Sequence, residues 1–457
     1  MKAPVSGSFF GSATGVFAIG LLILKKETAM KKIITVFLSF VLLLALVSCS
    51  AKDGELAPSD ASGGSFADAS DMGGASGAMA GAETGEPTAP GDGATDGDTP
   101  VKPTLPAGQL TAAEWRDLNH FEDWLALFRS GQTEGENGAF YSYVAEGGNT
   151  LWMLPYRGLV TVEVKNGETP CTGAHVTLEW GESSRYAAVT DARGLAYLFT
   201  DGEEGTLTVT SGAGSYSGAW AGESLVSVTL DQNEEKQSVM EIMFVIDTTG
   251  SMSDELRYIQ AEIDDVIGRV KEANADATVR LALLFYRDQG DEYVTRYFDF
   301  TEDLAAVKAN LAVQTASGGG DYPEAVHTAL SEAVAKQWSS GATTKLLFHI
   351  LDAPPHSDGQ VAETYRSAIL TAAEKGIRII PVASSGVNKM TEYLLREEAL
   401  LTGGTYTFLT NDSGIGGDHL TPTVGEYTVE YLNAMLVRLI CEYYTGVATP
   451  PVHWQQQ

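Results

Sequence analysis

The stretch MFVIDTTGSMSDEL, Met243 to Leu256, runs an apolar strand directly into Asp247 and then places hydroxyls at Thr249 and Ser251 before a helix begins. Two further acids follow comparable signals. Asp352 closes the apolar run KLLFHIL, and Asp321 lies in the glycine-rich loop ASGGGDYPEAV. In an open parallel sheet, ligands bind outside the carboxyl ends of the strands. Three loops carrying oxygen groups to that one edge offer what a hard divalent cation requires. Mg2+ takes about six oxygens at about 2.0–2.1 Å and usually keeps several waters, so it is the leading ion, with Ca2+ or Mn2+ as alternatives.

Asp321 has two readings. Asp321-Tyr322-Pro323-Glu324 also has the spacing of a capping box with proline near the first helical turn. The residue therefore either joins the metal site, directly or through water, or only caps a helix. Thr315 and Ser317 are substitutes in the same loop. His356 and Asp358, just past Asp352, read as solvated loop residues, and His349, inside an apolar strand, as a core histidine with a satisfied hydrogen bond. The glycines of SGGGD precede no GK[ST] sequence, which argues against nucleotide binding. The chain contains neither HExxH nor GxSxG, and DTTGS lacks the second acid expected of an aspartyl-phosphate enzyme.

These loops need a scaffold. The apolar runs at 240–246, 279–286, 345–351 and 377–383 are continuous enough for buried parallel strands, and helical segments separate them. Leu256, Ile259, Ile263, Val266, Ile267 and Val270 form one apolar helix face. Residues 238–446 therefore read as an α/β doubly wound parallel-sheet domain of Rossmann-like type, closed by a helix from Val429 to Tyr443. Between 158 and 232 the pattern changes to short alternating runs separated by Gly, Asn and Asp, the pattern of a smaller all-β sandwich. Residues 107–157 read as a helical linker. Within it, Leu110 to Phe128 spaces Trp115, Leu118, Phe121, Trp124, Leu125 and Phe128 as a helix would, and Thr111 with Glu114 makes a capping-box signal. That aromatic stripe reads as a docking face onto a neighbouring domain.

Residues 50–106 are rich in Gly, Ala, Ser, Asp and Pro and almost free of large apolar side chains, so they cannot bury enough surface to offset their ordering entropy. They read as a disordered acidic tether. The chain carries 29 basic and 60 acidic residues, a formal charge of -31, which argues against a nucleic-acid or anionic-membrane surface binder and would concentrate divalent cations. Its three cysteines are too few for a disulfide scaffold and too scattered for zinc. Cys171 and Cys441 are left as a pair that either bridges or does not.

Residues 1–49 read as an export segment, with 30–49 the effective signal peptide and Met30 the expected start. Two lysines precede an apolar run from Ile33 to Val47, and Leu46-Val47-Ser48-Cys49 closes the segment. Those four residues resemble the lipobox of bacterial lipoproteins. The resemblance implies a lipid on Cys49 and an extracytoplasmic, membrane-anchored protein at the cell surface or in the periplasm.

DTTGSM at 247–252 resembles the first metal-binding loop of the von Willebrand factor type A domain. The resemblance covers residues 238–446 and implies a metal-ion-dependent adhesion site. Thr249 and Ser251 would then ligate the metal through their hydroxyls, Asp247 would act through water, and Asp352 would supply the third loop. The second loop departs from the threonine common in that family, and Asp321 of GGGDYPE takes its place. GAHVTLEW…AVTDARGLAYLF is similar to carboxypeptidase regulatory modules, where Asp191 and Gly194 shape a turn. Together these imply a non-enzymatic, lipid-anchored binding or adhesion protein that engages a protein ligand, through an acidic residue of that ligand, at a divalent cation. A metal-dependent hydrolase using His356 or Glu324 as base, and an envelope-assembly factor with a purely structural metal, are the alternatives.

Overall fold

The computed structural model describes residues 105–128, 140, 151–152 and 156–456. The export segment with Cys49 and the tether up to residue 104 lie outside the described residues. The described residues all belong to one compact unit, and none of their helices is long and apolar enough to cross a membrane.

The stretch expected to be a helix from Leu110 begins instead with a strand, β1 (Thr111–Trp115), and becomes helical only at a 3-10 turn and the short α1 (Phe121–Ala126). Thr111 and Glu114 make no capping box, because Thr111 Oγ1 sits 2.8 Å from Thr410 Oγ1 on another strand's continuation. The physical reason is long-range: β1 fills a gap between two strands near the C-terminus and satisfies the ladder groups of both. Such pairing overrides a local helical pattern. The aromatic face survives in α1, where Trp124 stacks on Tyr393 with ring centroids 5.8 Å apart and Phe128 meets the same ring edge-on.

Next come two small sheets. One contains β2 (Gly158–Asn166), β3 (Thr169–Pro170), β6 (Leu195–Thr200) and β9 (Leu225–Thr229). The other contains β4 (His175–Trp180), β5 (Ser184–Val189), β7 (Gly205–Ser211) and β8 (Gly214–Trp220). Alternate residues such as Val160, Val162, Val164 and Val176, Leu178 point inward, as the period-2 pattern requires. Pairing is antiparallel except for β2 with β9, which is parallel. Asp191 and Gly194 do shape a turn. Asp191 Oδ1 accepts the backbone N–H groups of Arg193 and Leu195 at 2.9 and 3.0 Å. Gly194 has φ +76°, and a Cβ there would lie 2.5 Å from the Val164 carbonyl oxygen. These two sheets are not set apart from the α/β layer, because their core is continuous with its Ala333, Ala372 and Leu400. Tyr186 donates to the Leu401 carbonyl at 2.5 Å across the junction.

The central sheet has eight strands. In chain order its members after β1 are β10 (Val239–Asp247), β11 (Thr278–Tyr286), β12 (Thr295–Thr301), β13 (Thr344–Leu351), β14 (Ile377–Ala383), β15 (Tyr406–Leu409) and β16 (Glu430–Tyr431). The spatial order is β12-β11-β10-β13-β14-β15-β1-β16. The five strands from β11 to β15 in that order are parallel, whereas β12 and β1 run antiparallel to their neighbours. The sheet is therefore mixed where a parallel one was expected.

Helices α2 (Leu256–Ala273), α3 (Leu304–Ala312) and α7 (Leu432–Thr445) cover one face, and α4 (Val326–Ala335), α5 (Gly359–Lys375) and α6 (Lys389–Thr402) the other. Every residue of β13 and β14 is buried, which explains their unbroken apolar runs. The expected α2 face from Leu256 to Val270 is buried as read. Cys171 and Cys441 are both free thiols.

The segment after β1 is fixed by charge. Arg396 of α6, 2% exposed, makes two bonds to the Asp117 carboxylate at 2.9 and 2.6 Å. Removing Asp117 takes away these two charge-assisted bonds, while buried Glu392 at 3.4 Å and the Thr423 carbonyl at 2.6 Å still face Arg396. Asp117→Ala is expected to lower unfolding free energy by about 1.5–3 kcal/mol, measured by urea denaturation. The exposed Asp123→Ala control should stay within about 0.5 kcal/mol.

Candidate metal centre at the carboxyl edge of the sheet

β10 delivers Asp247 to the sheet edge fully buried. Its Oδ1 accepts the Thr249 backbone N–H at 2.8 Å and the Thr249 hydroxyl at 2.7 Å, so the loop curls back over its own carboxylate. Ser251 Oγ lies 3.2 Å from Thr249 Oγ1. The other carboxylate oxygen, Asp247 Oδ2, is buried with no hydrogen-bond partner among the described residues.

The second loop is laced to the first through backbone. Ser317 N–H donates to the Thr248 carbonyl and Gly250 N–H to the Gly318 carbonyl, each at 3.0 Å. Buried Arg287 spans both, donating to Thr248 O at 3.2 Å and Thr315 O at 2.9 Å. Gly319 has φ +69°, and a Cβ on it would stand 2.7 Å from Glu324 Oε1 and 3.2 Å from Thr249 Cβ. Glycine is what lets this loop pass between them. Thr315 and Ser317 are exposed and contribute backbone only to this lacing.

Asp352 leaves the end of β13 at the third loop. Glu324 joins it from the second. Its backbone bridges to Pro355, its N–H donates to Pro354 O at 2.9 Å, and its side chain is 3% exposed. Asp352 Oδ1 and Glu324 Oε2 are, like Asp247 Oδ2, buried without a hydrogen-bond partner among the described residues.

Of the residues singled out from the sequence, the structure brings Asp247, Thr249, Ser251 and Asp352 together. Asp321 is placed differently. Its side chain is exposed, and α4 starts only at Val326 with Ala325 at the cap position and no side-chain cap, so Asp321 does not cap that helix. The acid turned into the cluster from that loop is Glu324, three residues on. The prolines Pro354-Pro355 after Asp352 were the available signal, since an extended third loop can pair with an extended segment ahead of α4. His356 is not a free loop residue, because its Nε2 lies 2.8 Å from Asp288 Oδ1. His349 is the core histidine expected, with Nδ1 3.0 Å from Glu398. Asp358 caps α5, accepting from the N–H groups of Gln360 and Val361.

Among the described residues, none of Asp247, Asp352 and Glu324 has an ion-pair partner, and the electrostatics show it. Burial, reinforced by Asp352, pushes the Asp247 carboxyl up to about 7 against the lowering effect of Thr249. Burial raises Asp352 to about 6, with the Ser251 hydroxyl opposing it and Glu255 adding to it. Burial and then Asp247, Asp288 and Asp352 raise Glu324 to about 9. Raised carboxyls with orphaned oxygens beside two hydroxyls form an oxygen-only donor set, the kind suited to Mg2+ or Ca2+. Among the described residues no three His, Cys, Asp or Glu side chains converge on one point as they stand. The Thr249 and Ser251 hydroxyls and water would therefore complete any coordination shell.

A mostly parallel sheet with helices on both faces and a hydroxyl-and-acid loop at its carboxyl edge defines an open α/β domain. Residues 241–414 match the family model of the von Willebrand factor A domain, and this segment is such a domain. A putative ariadne-like RING finger protein of Acanthamoeba polyphaga mimivirus is 24% identical over 137 residues, 30% of this chain and 13% of that protein. The chain thus spans about an eighth of the length of this curated relative. Among solved structures, the conserved hypothetical protein BatB from Bacteroides thetaiotaomicron is 16% identical with a TM-score of 0.30, over 37% of this chain and 89% of that one.

The raised carboxyls set a pH dependence. Each binds a proton more tightly in the folded chain than unfolded, so folding takes up protons between the ordinary carboxyl range near about 4 and the raised values. Stability without metal should therefore fall as pH rises from about 4 through 6, 7 and about 9. Urea midpoints measured across that range in chelator check this, and Asp247→Asn should flatten the fall around neutrality.

Proposed function

We propose that the von Willebrand factor A domain binds one divalent cation, Mg2+ foremost, at the carboxyl edge of its sheet and engages a protein ligand through it. Domains of this family typically serve adhesion or protein interaction. The observation that carries the reading is the trio of buried carboxylates, each with an orphaned oxygen and none with a basic partner among the described residues. Thr249 and Ser251 would hold the ion through their hydroxyls, Asp247 and Asp352 would orient water or bind it, and Glu324 would add charge that Asp321 was expected to supply. A cation bound there supplies an electrophilic position open to a partner's carboxylate. With Glu324 ionised, that position keeps less positive charge than a site lined by hydroxyls alone, so it should bind an acidic partner more weakly and tolerate Ca2+ better.

The rest of the reading is a lipid-anchored, extracytoplasmic binding protein. It rests on the Leu46–Cys49 resemblance and on the acidic, low-complexity tether behind it. We read the chain as non-enzymatic, as domains of this family usually are.

Calorimetric titration tests the site. Mg2+, Ca2+ or Mn2+ should bind with release of protons at pH 7, seen as a buffer-dependent heat, because metal ligation requires the raised carboxyls to ionise. Asp247→Ala and Asp352→Ala should weaken binding by about 100-fold or more, and Asp321→Asn by less than about twofold. Absence of binding at millimolar metal, or affinity indifferent to Asp247→Ala, sinks the proposal.

A further inference from the structure

A second polar site lies at the opposite edge of the central sheet, where the sandwich layer meets the amino ends of β13 and β14. Lys345, Lys375 and Arg378 line one cleft there, together with Thr343 and the Val189–Ala192 segment. Lys345 and Arg378 are 9% and 6% exposed. In a chain with twice as many acids as bases, these three cations have no carboxylate ion-pair partner among the described residues. Lys345 donates to the Lys375 carbonyl at 3.1 Å, Lys375 to the Val334 carbonyl at 2.8 Å, and Arg378 to the Thr402 and Val189 carbonyls at 2.7 and 2.5 Å.

Those bonds explain part of the cluster, since the Val334, Lys375 and Thr402 carbonyls belong to the C-terminal ends of α4, α5 and α6, where cations offset the helix dipole. They do not exhaust it. Each ammonium has three N–H donors and the guanidinium five, so most remain for another acceptor. Asp191, the acid in the cleft, is already engaged by Arg193 at 2.7 Å and by two backbone N–H groups. Of the acids acting on Lys345, Glu241 is held by Arg280 and Ser339, and Glu234 acts on it more weakly without forming an ion pair among the described residues. Thr343 Oγ1 is buried and has no hydrogen-bond partner among the described residues. The cleft is small and open to solvent on one side.

We propose that this cleft binds a single oxyanion, a phosphate or carboxylate group, held by Lys345, Lys375 and Arg378 with the Thr343 hydroxyl as a further donor. The chemistry is charge-assisted hydrogen bonding to a compact anion, and the site is independent of the metal centre. The group comes either as a free ion or esterified on a larger molecule projecting from the open side of the cleft.

The test is calorimetric titration of the purified chain with inorganic phosphate, glycerol 3-phosphate and acetate at constant ionic strength, with chloride as control. Wild type should bind at least one of the three oxyanions. Lys375→Gln and Thr343→Val should each weaken that binding about tenfold. Thr343→Val is the decisive variant: its hydroxyl has no partner to lose, so the unliganded protein should unfold at the wild-type temperature or above. Tighter binding of glycerol 3-phosphate than of phosphate assigns the site to an ester, and the reverse to the free ion. No binding of any oxyanion, or equal affinity in wild type and both variants, overturns the proposal, as does a response that chloride reproduces.

Discussion

The structure turns on a charge imbalance at one edge of its central sheet. Asp247, Asp352 and Glu324 are drawn out of water to within mutual electrostatic reach, and among the described residues no lysine or arginine compensates them. Burying an uncompensated carboxylate is unfavourable enough that it takes up a proton or a cation instead. The surrounding loops keep the three acids where they are. Arg287 directs its donors to backbone carbonyls of the two loops, with only a longer contact to exposed Glu292, and so ties them together without neutralising the cluster. Gly319 removes the one side chain that would separate Thr249 from Glu324.

Holding such a cluster requires a stiff frame, and the frame is larger than the domain that carries the site. Residues 241–414 define the von Willebrand factor A segment, yet β1 and β16 of the same sheet lie outside it. The sandwich layer is equally involved. Its apolar interior runs on into α4, α5 and α6, and Arg378 bonds at once to Val189 of one layer and Thr402 of the other.

Much of this was legible in the sequence where local pattern and tertiary environment agree. The strands β10, β11, β13 and β14 are buried on both faces, so an apolar run marks them almost to the residue. The loop DTTGS stood out because it sets a carboxylate and two hydroxyls at alternate positions after a strand, and the structure brings those three side chains together. Two features were not legible, both for lack of a local cause. TAAEW reads as a helix start, and it is a strand only because partners nearly 300 residues away leave a slot for it. Asp321 and Glu324 are both acids in one short loop. Which of them turns inward is decided by the Glu324–Pro355 bridge, a contact between two loops that no spacing rule encodes.

The strand β1 has a mechanical consequence. The chain enters the fold at Gly108, Gln109 and Leu110, whose three N–H groups converge on buried Glu262 of α2 at 2.8, 2.7 and 3.0 Å. It then passes straight into the sheet between β15 and β16. A pull arriving from the N-terminal side therefore reaches the sheet that carries the carboxylate cluster before it reaches the two small sheets, even though those precede most of that sheet in the chain. It meets the ladders that β1 makes with β15 and β16 and the Glu262 anchor. The chain is thus taken up by the layer that holds the carboxylate cluster.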